Sequence, residues 1–442
     1  SQLKVRVSYG RLGNQNGAGL YDYIAQMPLD AQGTNAWLLP GISSSTASKG
    51  TIAQTPKMIS PYITWEKVDN ANLGFDLMLF KNRLSITADL YQRTTRDMIG
   101  PAESIPSISG IASEDRAKVN NATLRNRGWE LSVSWNDKLK CGFSYGVGFN
   151  VFNYKAVVTK YNNPEGIIYN NHTGLAANKG YYEGMDLGEI WGYRADDLFL
   201  SNREIDDYLR KVDLTAFKSN DLWRRGDLKY IDTNGDGRVD GGKGTLSDHG
   251  DLQVIGNTTP KYSFGINLNL GYKGFEVSTL LQGVAKRDFP IAGSNYMFGG
   301  NNYNFKEHLD YFSTENPNGY LPRLTGWKDD KDFLVNTGYN TTRYLLNAAY
   351  MRMKNLTVAY TFNKKQLKHI GISNLKVYVT CDNLFTITKL PKQFDPETLN
   401  QVNMSAGGDA KNTAPGLTSP MKQNGNGMVY PMNRNFVFGL DF

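Results

Sequence analysis

The feature that most restricts the fold is a two-residue period that recurs about ten times along the chain, with connections alternating short and long. Successive side chains of a strand point to opposite faces, so alternation with aromatics on one side means a strand with one apolar face. The closing stretch NRNFVFGLDF puts Phe436, Phe438, Leu440 and Phe442 on one face and Asn435, Val437, Gly439 and Asp441 on the other. GWELSVSW turns at Asn136 to Lys140 into CGFSYGVGFNVF, where Phe143, Tyr145, Val147, Phe149 and Val151 share a face. The opposite face, Gly142, Ser144, Gly146, Gly148 and Asn150, is too small and polar for a packed core. Leu84, Ile86, Ala88 and Leu90 likewise oppose Ser85, Thr87, Asp89 and Tyr91 after the Lys81-Asn82 link, and KYSFGINLNLGY turns at Lys273-Gly274 into FEVSTLLQG.

The long connections cover roughly residues 11 to 65, 98 to 124, 156 to 259, 289 to 348 and 387 to 432. Tight turns on one side and large loops on the other predict an all-β fold, a transmembrane up-and-down antiparallel β-barrel with long extracellular loops. A soluble sandwich would rarely gather five loops of more than about 15 residues at one end. Trp65, Trp129, Trp135, Tyr91, Tyr154, Tyr272, Tyr350 and Tyr360 fall near strand ends, where aromatic girdles sit.

Composition excludes several classes. No apolar run approaches the roughly 20 residues of a transmembrane helix, and a mean hydropathy of −0.47 suits a barrel wall in which every second residue is polar. The formal charge of +7 is spread along 442 residues, which argues against a nucleic-acid partner. Cys141 and Cys381 both fall in strand-like alternations and are expected to be small buried or wall-facing residues. The chain opens at SQLKVRVSYG inside a strand, without a signal peptide, which predicts that it is the later part of a longer protein.

The wording SYGRLGNQ, TWEKVDNANLGFDLMLF, NRGWELSVSW, EGMDLGEIWGYRADDLF, GDLKYIDTNGDGRVD, IGNTTPKYSFGINLNLGYKGFE and YPMNRNFVFGLDF resembles the C-terminal half of SusC-like TonB-dependent outer-membrane transporters of Bacteroidetes-type bacteria. The resemblance implies residues 1–442 as the later strands of a 22-stranded barrel in the cell outer membrane, with the plug domain absent from this chain. It further implies active import of a glycan or oligopeptide, energised by TonB through the missing N-terminal portion. The partners implied are the N-terminal part of the same barrel, a SusD-like surface lipoprotein, and membrane lipid with lipopolysaccharide.

Within the 156–259 loop, DTNGDGRVD puts Asp232, Asn234, Asp236, the Arg238 carbonyl and Asp240 at positions 1, 3, 5, 7 and 9 of a calcium loop, with Gly237 at the sharp turn. Lys243 stands where a bidentate Glu would close the shell, so Asp248 or Asp251 has to reach back, and the expected Ca²⁺ affinity is weak, about 10⁻⁴ to 10⁻³ M. The ion is expected to clasp a loop that shows few strong apolar clusters; the bland alternative is a metal-free Asp/Gly turn. Ser201 and Glu204 form a capping box for a short helix with Ile205, Tyr208, Leu209 and Val212 on one side, to pack on its own loop or on a lid protein. Trp37, Trp223, Tyr296, Tyr303 and Trp327 are candidates for stacking on sugar rings, against a role in loop packing.

Catalysis finds no footing. His172, His249, His308 and His369 lack metal-ligand spacing, no nucleophile or phosphate-loop motif occurs, and the pairs Asp196-Asp197 and Asp206-Asp207 point apart. The rival to a transporter is a soluble calcium-dependent β-rich glycan-binding protein or hydrolase, suggested by the Asp-rich loop and the loop aromatics.

Overall fold

The computed structural model describes residues 2–15, 58–100, 117–168, 181–195, 197–291, 306–325, 331–363, 374–399 and 432–442, with a few short stretches between them. Ten strands pair antiparallel in strict chain order: β1 (Gln2–Asn14), β2 (Glu66–Leu79), β3 (Leu84–Gly100), β4 (Val119–Lys138), β5 (Ser144–Lys160), β6 (Lys261–Tyr272), β7 (Phe275–Lys286), β8 (Tyr350–Phe362), β9 (Leu375–Asp382) and β10 (Asn435–Asp441). A further short piece, Thr386–Thr388, continues β9 along the top of β8 after a kink in which Asn383 has φ 53°. Among the described residues the sheet is a curved wall, not a closed barrel, with β1 and β10 as its outer strands.

The register turns the period of two into two surfaces. One row of paired residues runs Leu3, Leu77, Ile86, Val133, Phe149, Ile266, Leu281, Met353 across eight strands. The next row up runs Lys4, Asp76, Thr87, Ser132, Asn150, Gly265, Gln282, Arg352. Because a one-residue step switches faces, the first row faces outward and the second inward. The outward face stays bare: Phe438 is 77% and Phe442 79% exposed. A continuous apolar band of this size has hydrocarbon as its natural solvent. No helix among the described residues is long and apolar enough to cross a membrane.

The inward face is held by polar pairs. Arg6 lies across Gly74 and bridges Asp76 at 2.8 Å and Asp89 at 3.0 Å. Lys376 meets Glu276 at 2.7 Å, and the Thr357 and Thr380 hydroxyls are 2.9 Å apart. Gly128 and Gly439 make room for rings from the neighbouring strand: an added Cβ would come within 2.4 Å of the Tyr91 Oη and 2.1 Å of the Tyr378 ring.

Three expectations need correction. Tyr91 and Tyr154 belong to the inward face, opposite Gly128, and Tyr350 shares that face two residues from Arg352, so none of the three is part of a lipid-facing girdle. On the short-turn rim that role falls to Trp135 with Phe80 (ring centroids 5.8 Å) and to Tyr272, Phe275 and Tyr360. Cys141 is an exposed turn residue, whereas Cys381 is in β9 on the outward row with Leu356 and Phe436. The strands also run further than the alternation suggested, β4 reaching 20 residues from Val119. A tilted strand crosses hydrocarbon in about 9–11 residues, so the outer ends of β3, β4 and β5 extend beyond the hydrocarbon layer.

The two faces predict opposite responses to charge. Phe149→Arg, in the middle of the outward row, should cost about 2–4 kcal/mol of barrel stability, whereas Asn269→Lys on the inward row should cost well under that. Chemical unfolding in lipid vesicles measures both.

Candidate functional site

The long connections after β5, β7 and β9 condense into one body above the strand ends. A single apolar core joins Tyr193, Phe199, Leu214, Phe217, Trp223, Leu228 and Tyr230 from residues 161–260, Phe289, Phe312, Leu321 and Tyr344 from residues 287–349, and Leu390, Phe394 and Leu399 from the last connection. The Phe217 and Tyr230 rings stack at 4.3 Å, Tyr339 meets Phe217 edge-on at 5.4 Å, and Phe289 meets Phe394 at 5.5 Å. The Tyr230 hydroxyl donates to the Val335 carbonyl, tying the first connection to the second inside the core.

The helix expected from the capping box is α1 (Asn202–Leu209): the Ser201 hydroxyl accepts from Glu204 N–H at 3.2 Å, and the Glu204 carboxylate accepts from Leu200 N–H. Its Ile205 is buried and Tyr208, Leu209 and Val212 pack against the common core, so the helix rests on its own loop and leaves that stripe unavailable to a lid protein.

At the seam between the first two connections lies a buried ionic network. The Asp227 carboxylate, fully buried, accepts from Lys218 Nζ at 2.7 Å and Arg224 N–H at 2.9 Å on one oxygen. Its other oxygen accepts from Arg323 Nε at 2.6 Å and Asn336 Nδ2 at 2.9 Å. Asp332 completes the set by receiving Lys218 and Arg323. Burial alone would raise the Asp332 pKa, but hydrogen bonds from Lys218 and Arg323 outweigh it and hold the group below its ordinary value of 3.8. The Lys218 ammonium lies 4.5 Å over the Trp223 ring.

Two arginines pin the last connection to the strand tops. Arg352 Nη2 reaches Asp395 at 2.8 Å and its Nη1 reaches Glu397 at 2.8 Å, with Lys354 also on Glu397 at 2.9 Å. Burial would likewise raise the Asp395 pKa, and the Arg352 hydrogen bond leads the contacts that bring it below its ordinary value. Arg287 donates to the carbonyls of Thr258, Pro396 and Leu399, and burial lowers its pKa. On the inner wall below, near the short turns, a concavity of about 810 Å³ is lined by groups such as Asn136, Ser144, Asn269, Glu276 and Lys376.

Of the proposed stacking aromatics, Trp223 is only 3% exposed and serves the core, so it offers no ring face to a sugar. Trp37, Tyr296, Tyr303 and Trp327 lie outside the described residues. The premise that residues 156–259 carry few apolar clusters is overturned, because they supply half of the buried residues of the loop core. Burial of that core orders the loop body independently of any ion.

In the Asp-rich loop, Asp232 accepts from Gly235 N–H at 2.6 Å and Gly237 N–H at 2.9 Å, and Asp236 accepts from Arg238 N–H at 2.8 Å. Asp251, not Asp248, reaches back: one carboxylate oxygen accepts from Thr233 N–H at 2.6 Å and the other from Asp240 N–H at 3.0 Å. The Arg238 guanidinium sits on Asp240 at 3.2 Å, and Asp248 stands 4.0 Å from Lys243. Among the described residues no three carboxylate, His or Cys side chains gather as a metal-holding group. Backbone N–H groups of the loop, with the Asn234, Thr233 and Arg238 side chains, are the partners these carboxylates have here.

Acid should open this body before it opens the barrel. A carboxylate whose folded pKa is depressed stabilises the fold above its unfolded value, and that contribution disappears as pH falls through the folded value. Limited proteolysis should therefore leave the loop body intact at pH 7 and cut it below about pH 4, while the strands stay protected. Asp227→Asn leaves Lys218 and Arg323 poorly compensated at a cost of about 3–5 kcal/mol and should make the body protease-sensitive already at pH 7.

The architecture matches known proteins. The family model described as "TonB dependent receptor-like, beta-barrel" covers residues 1–384. TonB-dependent receptor P3 of Formosa agariphila is 26% identical over 382 residues, 86% of this chain and 34% of that protein. TonB-dependent receptor SusC of Bacteroides thetaiotaomicron is 22% identical over 410 residues, 91% of this chain and 36% of that protein. Among solved structures, the RagAB peptide importer in its closed-closed state aligns over all of this chain and 40% of its own, with a TM-score of 0.63 at 21% identity. The RagAB peptide transporter aligns over 89% of this chain and 38% of its own, with a TM-score of 0.60 at 22% identity. The chain thus spans about a third of the length of the curated relatives it matches. An ordered antiparallel wall, greasy outside and polar inside, matched over most of its length by that family model, belongs to the TonB-dependent receptor-like β-barrel family.

Proposed function

We propose that this chain forms the later wall and outer loops of an outer-membrane importer of the SusC type. Such an importer takes an oligomeric nutrient, a glycan or an oligopeptide, in a step energised by TonB. The observation that carries the reading is the pair of facing rows: apolar outward through eight strands and polar inward through the same eight. Such a wall suits the lining of an aqueous route. The relatives supply the direction of the reading, since they are named as receptors, and the similar structures as a peptide transporter. A SusD-like surface lipoprotein is the proposed partner on the loop side, docking on the assembled loop body.

The reading predicts recovery of the full-length protein from detergent-extracted outer membranes, with the lipoprotein co-purifying under mild detergent. Recovery of the folded protein in the soluble fraction would sink the reading, and recovery of the barrel alone would sink the stable complex. Calcium in the Asp232–Asp240 loop is a separate proposal. Millimolar Ca²⁺ should slow cleavage of that loop in the native chain and not in the Asp232→Asn, Asp236→Asn variant; equal rates would remove the ion from the account.

A further inference from the structure

The outward face carries a second feature, directly above its apolar rows, that an importer's wall does not require. On β1 to β5 the outward residues become cationic: Tyr9, Ala71, Gln92, Arg127 and Lys155 form one paired row, and Arg11, Asp69, Thr94, Arg125 and Val157 the next. Above these, Lys67 pairs directly with Arg96. The carboxylates nearby are already used: Asp69 is 6% exposed beneath Arg11 at 2.6 Å and Arg96 at 3.3 Å, and Lys67 meets Asp97 at 2.8 Å. Arg125, Arg127 and Lys155 have no carboxylate partner among the described residues; Arg127 Nε donates to the Gln92 side-chain oxygen at 2.6 Å.

Arg127 and Lys155 are directly opposite each other across the β4–β5 ladder. Like charges placed so repel and destabilise a sheet, and an anion between them removes that cost. Their height is set independently. Counting about 9–11 residues of crossing inclusive of the short-turn rim, Trp135 on β4 leads to residues 125 to 127 and Tyr145 on β5 leads to residues 153 to 155. Trp129, one outward position below Arg127, is the aromatic expected at that boundary. The cations therefore stand at the level of the lipid headgroups, on the side that carries the long loops.

We propose that Arg125, Arg127 and Lys155, flanked by Arg96 and Arg11, form a binding site for the phosphate of a phosphorylated lipid of the outer leaflet. Arginine presents a planar fork that holds phosphate oxygens bidentately, and Lys155 adds a point charge from the neighbouring strand. The lipid chains run down the apolar rows beneath, so phosphate and chains are recognised by one continuous surface. This reading rests on the strands crossing a membrane, but it fails separately from it: a membrane-inserted protein without lipid preference keeps the importer and loses the site.

The test uses the full-length protein, reconstituted in nanodiscs of neutral lipid with a minor fraction of phosphatidylglycerol or of purified lipid A. The readout is lipid retained through detergent exchange, by native mass spectrometry. Wild-type protein should retain the phosphorylated lipid, and retention should fall with salt. The triple variant Arg125→Gln, Arg127→Gln, Lys155→Gln should bind on the order of 100-fold more weakly, at roughly fivefold per neutralised cation. Its melting temperature in neutral lipid should be unchanged or raised, because the repulsion is gone. Arg203→Gln, an exposed change on α1, should leave retention at the wild-type level. Equal retention by wild type and triple variant would overturn the proposal. So would displacement of the lipid by inorganic phosphate at equal concentration, since that would assign a soluble anion.

Discussion

A backbone N–H or C=O left unpaired in hydrocarbon costs several kcal/mol, and that penalty governs the topology. It leaves a strand one way to cross, with neighbours on both sides, and the least demanding way to supply neighbours is the next segment of the same chain. The order β1 to β10 without a crossover follows. Given that pairing, a slip of one residue would put Lys4, Asp76 and Gln282 into lipid and Phe149, Ile266 and Leu281 into water. Pairing and register thus protect each other. Among the described residues the wall's register shifts at Leu280/Leu281 between β7 and β8, at Thr95/Met98 and Met98/Ile99 between β3 and β4, and at Thr123/Leu124 between β4 and β5; all but the first lie towards the loop side.

The loop body obeys the other solvent. Ordering each residue costs on the order of 1 kcal/mol or more, so a hundred-residue connection needs buried area of its own. The connections after β5, β7 and β9 obtain it by sharing one core, and the Asp227 network then fixes which faces meet. A buried carboxylate with four donors is satisfied in only one arrangement of Lys218, Arg323 and Asn336, whereas apolar contacts among rings tolerate sliding. Arg287 reaches the same end without a counter-charge, by collecting three carbonyls that belong to two different connections.

The wall was legible in the sequence because its signal is local. Phe143 to Val151 or Phe436 to Phe442 show their period within ten residues, and every long–short alternation of connections counts a strand pair. Tyr91 and Tyr154 were misplaced because an aromatic near a strand end says nothing of parity; only the register with Gly128 does. The loop core was invisible for a related reason. Tyr230 finds Val335, and Asp227 finds Arg323 and Asn336, across about a hundred residues with no periodicity to announce it. Trp223 looked like a binding aromatic on composition alone, and its neighbours Phe199 and Tyr230 are what make it a core residue. Asp251 was one of two candidates to close the Asp-rich loop, and its burial, not its spacing, singles it out.

One chain therefore carries two bodies whose stabilities depend on different things. The wall holds its outward rows only while hydrocarbon covers them, and removal of lipid acts on Phe149 and Phe438 first. The loop body depends on water driving its rings together and on ionised Asp332 and Asp395, so protonation acts on it and leaves the outward rows untouched. Among the described residues the bodies meet through side-chain pins, Lys261 with Asp186, Arg287 with the last connection and Arg352 with Asp395 and Glu397. They also meet along the end of β5, where Val158 N–H donates to the Met185 carbonyl, Leu187 N–H donates to the Ala156 carbonyl, and Val158 packs on Ile168, Tyr182 and Met185. Those pins sit at the tops of β6, β7 and β8. A displacement of the loop body as a unit consequently has to break directional, partly buried ion pairs and carbonyl contacts at three neighbouring strand ends, whereas the apolar core inside it stays intact. Movement on the loop side is thus resisted by charge and carbonyl contacts at the seam together with the β5 contacts, and it leaves the larger apolar core above them intact.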